Sequence, residues 1–147
     1  MKYPAFLFTV LALYLSGCTA VNVRPIPTET RITNVLIREN PKVPVADFLD
    51  VVIEGFERHG ISTKVISESA DAGDAFVVTY TAQRRWDMAI YLVDATISIE
   101  KEGHRLAHAQ YHLRNGGGLS VTKWSGTKTK IDPVIDKLLK DYRTTKP

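Results

Sequence analysis

Two neighbouring segments restrict the fold more than anything else in the chain. "IYLVDATISIE", residues 90–100, and "HRLAHAQYHL", residues 104–113, both alternate apolar with polar side chains. With a period of two, Tyr91, Val93, Ala95, Ile97 and Ile99 share one face of the first strand. Ala107, Ala109, Tyr111 and Leu113 share one face of the second. "KEG", residues 101–103, joins them, and a three-residue turn with Gly103 in the left-handed region fits that spacing. This register sets Ile97 opposite Ala107 and Val93 opposite Tyr111, so both apolar sets stay on one side. A chain holding this hairpin must build an antiparallel sheet and cover one face of it.

The remaining segments supply the cover and further strands. Residues 31–40 and 61–67 are rich in β-branched and aliphatic side chains and predict strands, as does "AFVVTYTAQRRW", residues 75–86. Between the first two, Val45, Phe48, Leu49, Val52, Ile53 and Phe56 recur at helical spacing, with Asp47, Asp50, Glu54 and Glu57 opposite. Gly60 suits the stop of that helix. Near the C-terminus, Asp132 and Pro133 read as N-cap and first residue of a second helix, with Val134, Ile135, Leu138, Leu139 and Tyr142 as its buried stripe. The order is β-α-β-β-β-β-α. It predicts a two-layer α+β domain with a largely antiparallel sheet, two helices on one face, and the other face wet or meeting a partner.

The first residues are of another kind. Lys2 precedes eleven uncharged residues, 5–15, too few to span a bilayer but suited to the apolar part of a secretory signal. Leu15, Ser16, Gly17 and Cys18 then match a bacterial lipobox, and Cys18 is the one cysteine in 147 residues. Its thiol is the expected acceptor of a diacylglycerol, and the small Ser16 and Gly17 give a signal peptidase access to the bond before it. Two or three acyl chains make a durable anchor where one alone does not. Thr19 in place of Asp favours the outer membrane over the inner membrane, with the domain facing the periplasm; the inner membrane and the cell surface are the alternative sites. The expected organisation is a signal peptide over residues 1–17, the acylated Cys18 with a flexible, proline-bearing tether over residues 18–30, and one periplasmic domain over residues 31–147. Removing residues 1–17 takes Lys2 from 19 basic residues and nothing from 16 acidic ones, so the net charge falls from +3 to +2. That balance gives no electrostatic footprint for nucleic acid. With one cysteine, an oxidising compartment adds no internal crosslink, and the core alone must hold the fold.

"ENPKVPVADFLDVVIEGFERHGI", "YHLRNGGGLSVTKW" and "GTKTKIDPVIDKLL" resemble a family of uncharacterised gammaproteobacterial lipoproteins. The resemblance covers nearly all of the mature chain. It implies a lipobox and one small periplasmic domain, and it carries no catalytic residues. The element order is also similar to envelope lipoproteins that assist lipopolysaccharide assembly or lipid transport, at the level of fold.

No motif in the chain specifies a reaction. His104, His108 and His112 recur every four residues, but on a strand neighbours stand ~13 Å apart, too far to share one ion, so no metal site is expected. Glu100 opposite His104 and Thr96 opposite His108 are the expected pairings. Gly126 is followed by Thr127 and Lys128, which breaks the phosphate-loop pattern, and the glycines read as turn or bulge residues. Neither Ser120 nor Ser125 sits in a nucleophile elbow. No cofactor is expected, and the chain does not read as an enzyme.

One cluster could bind. Arg84, Arg85, Arg114, Lys123, Lys128 and Lys130 could gather near Trp86 and Trp124. Cations beside aromatic rings hold anionic groups such as lipid phosphates or peptidoglycan carboxylates. The expectation is therefore an accessory lipoprotein, joined to the membrane by covalent lipid and docking on an envelope protein. The alternative is a binding module for lipopolysaccharide or peptidoglycan through that cluster.

Overall fold

A computed structural model describes residues 19–117, 121–140 and 142. Leu15, Ser16, Gly17 and Cys18, expected from the sequence to form a lipobox, lie outside the described residues, as does Ser120. Six strands are described: β1 (Thr19–Arg24), β2 (Asn34–Arg38), β3 (Ser62–Ile66), β4 (Phe76–Asp87), β5 (Ala89–Lys101) and β6 (His104–Leu113). Helix α1 (Phe48–Arg58) lies between β2 and β3, and α2 (Thr127–Leu138) follows two short 3-10 turns. The sheet order is β1-β6-β5-β4-β2-β3. β1, β6, β5 and β4 are antiparallel neighbours, whereas β2 runs parallel to both β4 and β3. The domain is α+β with a mixed, largely antiparallel sheet. The parallel pair follows from α1 returning the chain between β2 and β3.

Alternation places Val78, Tyr80, Ala82, Ile97, Ile99, Ala107 and Ala109 under the helices, all buried. Phe48 and Phe56 of α1 and Ile131, Ile135 and Leu138 of α2 close over them with no exposed surface. The Phe48 and Tyr80 rings sit 5.5 Å apart, fixing the start of α1 on the sheet. The helices lie side by side and advance together: Lys128 pairs with Glu54 at 2.5 Å, and one turn on Arg58 pairs with Asp132 at 3.0 Å and with Asp136 at 2.6 Å.

Three sequence expectations require correction. Residues 18–30 are not a flexible tether throughout: residues 19–24 form β1, paired residue for residue with β6 from Thr19↔Leu113 to Arg24↔His108. Val21 and Val23 pack on the core, and Ile26 beyond Pro25 is fully buried, its amide donating to the Leu138 carbonyl at 3.0 Å. Pro25 falls just after the strand, where its missing amide costs no ladder bond. The β5–β6 register is two residues from the expected one, with Ile97 opposite Ala109 and Ile99 opposite Ala107. Glu102 and Gly103, at φ 50° and 78°, form a two-residue turn, and an irregularity after Ile99 leaves Leu106 without an opposite residue. A slip of two preserves the faces but changes every cross-strand partner. Finally, α2 begins at Thr127, capped by Gly126, with Pro133 inside the helix and Asp132 not at its N-cap. Buried Ile131 and the bonds of Lys128 and Asp132 to α1 hold the added turns despite the amide lost at Pro133.

Asp136 accepts from Arg58 and from His59 Nε2 at 2.9 Å. Burial pushes its carboxyl pKa up, but the bonds from His59 and Arg58 and their charges outweigh that, so it lies below 3.8. A lowered folded pKa contributes stability above the unfolded value and loses it as pH falls through the folded one. Asp136→Asn should therefore cost at most about 1 kcal/mol at neutral pH, because the carboxylate is half-exposed. The gap between the two urea midpoints should close below about pH 4. A gap independent of pH would place the effect elsewhere.

Candidate functional surface

The sheet face opposite the helices is open. Thr79, Thr81, Thr96, Ser98 and Glu100 form its floor, and a groove of about 280 Å³ runs over them, walled by Arg38, Glu39, Asn40, Glu68 and Arg105. Its walls are held from within the domain. Arg38 Nη1 donates to the carbonyls of Glu68 at 2.6 Å and Ala70 at 2.9 Å, and Asn40 Nδ2 donates to the Tyr80 carbonyl at 3.0 Å. The observed register opposes Ser98 to His108 and Asp94 to His112, each pair bonded at 3.0 Å, replacing the expected Thr96–His108 and Glu100–His104 pairings. Ser98 is buried and shares a bond with a His nitrogen, while Asp94 bonds His112 and leaves His108 without that carboxylate as an orienting partner. The arrangement offers hydroxyls, the carboxylates of Glu39, Glu68 and Glu100, and the guanidinium groups of Arg38 and Arg105 to a polar ligand.

Of the basic residues singled out from the sequence, four are paired within the domain. Arg84, past an irregularity in β4 after Gln83, turns to Asp47 at 2.6 Å. Lys128 is held by Glu54 and, at 3.4 Å, by Asp132, which raises its pKa. Lys130 reaches inward to the carbonyls of Leu92 at 3.3 Å and Lys123 at 2.5 Å, and burial lowers its pKa. Lys123 is buried, bonds Asp87 at 2.6 Å and stands 4.4 Å from the Trp124 ring centre. Trp124 Nε1 donates to the Asp87 carbonyl at 3.1 Å. Arg85 and Arg114 are exposed, and Trp86 is 76% exposed. Sequence spacing could not reveal that four of the six cations answer internal acceptors.

The sequence reading also passed over Met88 and Ile90, which stand beside Trp86 at 82% and 63% exposure. Their signal was present: Ile90 falls off the apolar face that Tyr91, Val93, Ala95, Ile97 and Ile99 share. Met88 is the apex between Asp87 and Ala89, at φ 59°.

No protein-family model matches the chain, and no curated protein sequence matches it. Among solved structures, the chain is similar to PelC of Paraburkholderia phytofirmans, seen as a dodecamer in two crystal forms. The TM-scores are 0.57 and 0.56 at 12% and 14% identity, covering 87% of this chain and 99% of PelC in each case. At that identity the likeness shows a shared fold.

Proposed function

We propose that this chain is a non-enzymatic accessory lipoprotein of the bacterial envelope, belonging with the gammaproteobacterial lipoproteins it resembles. It is anchored in the outer membrane through acylated Cys18 and docks on an envelope protein complex from the periplasmic side. The observation that carries this reading is the one-sided domain. Two helices cover one sheet face, and the other presents a polar groove whose Arg38 wall is tied to the carbonyls of Glu68 and Ala70. Lipid confinement raises local concentration, so a weak docking face suffices. The fold shared with a protein that assembles as a dodecamer, together with the outer edges of β1 and β3, which pair with no further strand among the described residues, supports docking as a self-assembled unit.

The test is crosslinking in intact cells, isolation of the lipidated protein and mass spectrometry. Recovery of one protein complex near stoichiometry is the expected result. Recovery of lipopolysaccharide or peptidoglycan alone would replace this reading with the anionic binding module. The intramolecular pairing of Arg84, Lys123, Lys128 and Lys130 weighs against that module.

A further inference from the structure

The β4–β5 hairpin runs past the rest of the sheet. β6 ends at Leu113, opposite Thr19, and His112 faces Asp94. Beyond that row β5 and β4 continue with each other alone, to the Asp87↔Ala89 pair. From Asp94 to Ala89 the extension is about 16 Å at the rise of a strand. Its end displays Trp86 and Ile90, directly paired across the ladder, with Met88 at the apex. These are three of the five large apolar side chains exposed among the described residues.

The protrusion is braced. Lys123 holds the Asp87 carboxylate and Trp124 Nε1 holds the Asp87 carbonyl, while Tyr91, Leu92 and Val93 at its base are buried. A glycine would make the apex without strain, yet a methionine occupies the left-handed position. The apex presents a side chain at a place where backbone geometry favours none.

Position identifies the occupant. Thr19 is already in the sheet, at the end from which the hairpin projects, so Cys18 is one peptide unit, ~3.8 Å, from that end. Resting on the anchor reading above, we infer that the Trp86–Met88–Ile90 tip is a second membrane contact, inserted among the lipid headgroups and upper acyl chains beside the acylated Cys18. An anchor without slack brings that end of the sheet to the bilayer, and the β4–β5 hairpin continues past it. Tryptophan favours the interface, and Met and Ile supply apolar surface below it. Arg85, within the extension, and Arg114, directly after the end of β6, are exposed and fit lipid phosphates. Two contacts fix the tilt of the domain, which a lipid tether alone leaves free, and so set the direction in which the open sheet face points.

The test uses the lipidated full chain and its Trp86→Phe variant in vesicles of phosphatidylethanolamine and phosphatidylglycerol, with and without brominated acyl chains. The mass of the Cys18 peptide is measured in parallel. The expected result is a blue-shifted Trp86 emission that brominated lipid quenches, seen as the difference between the two chains. Acylated Cys18 with Trp86 unquenched and open to aqueous iodide would overturn the tip contact and leave the anchor intact. Trp86 shielded from both quenchers would also overturn it, assigning the tip to a second copy or another protein. Quenching by brominated lipid with Cys18 unmodified would uphold the tip contact and remove the anchor.

Discussion

Gly55→Leu is expected to destabilise the domain by about 3 kcal/mol, a large share of the 5–15 kcal/mol typical of a domain. Gly55 is buried in α1 where it crosses α2. A β-carbon there would stand 2.4 Å from Ile135 Cδ1 and 3.3 Å from Cγ2. Ile135 has no exposed surface and little room to yield, so a longer side chain forces the helices apart. Helix propensity runs the other way, since glycine in a helix interior costs about 1 kcal/mol relative to alanine. Gly55→Ala should thus destabilise less than Gly55→Leu, because the propensity gain offsets part of the clash of its single β-carbon with Ile135. Ile135→Ala alone should cost about 2–5 kcal/mol through its cavity. Combined with Gly55→Leu, the two costs should fall short of additive by at least about 1 kcal/mol, because the new side chain fills the space vacated. Urea unfolding of the four chains measures this, and strict additivity would show that Gly55 and Ile135 do not limit the helix spacing.

Cys18→Ser should abolish the membrane anchor. A serine hydroxyl does not replace the thiol as acceptor of the diacylglycerol, and the apolar stretch before it is too short to span a bilayer. Labelled palmitate should be absent from the variant, and the protein should leave the outer-membrane fraction. With two or three chains removed at ~0.8 kcal/mol per buried methylene, the expected loss is complete rather than graded. Palmitate retained on the serine variant would reject the lipobox reading. Normal outer-membrane recovery without palmitate would show that the domain is held by other contacts alone, the hairpin tip first among them.

Much of the fold was legible in the sequence. Alternation assigned Val78, Tyr80, Ala82, Ile97, Ile99, Ala107 and Ala109 to one face, and helical spacing identified Phe48, Val52 and Phe56 as the side of α1 that covers it. These are local properties, because a strand repeats every two residues and a helix every 3.6 wherever they sit. Candidate binding residues were less legible. Arg84, Lys123, Lys128 and Lys130 have the same composition whether they face solvent or Asp47, Asp87, Glu54 and a backbone carbonyl. Long cations reach partners tens of residues away, and only the packed chain says which.

By itself, the sequence determined the α+β class, the two apolar stripes and the polar second face of the sheet, since each is written in spacing. Only the tertiary structure decided that Thr19–Arg24 joins the sheet, that Ser98 rather than Thr96 meets His108, that α2 starts five residues before Asp132, and that Trp86, Met88 and Ile90 stand together beyond it. Register, strand partner and protrusion depend on which distant segments lie side by side. A residue's neighbours along the chain carry no record of that.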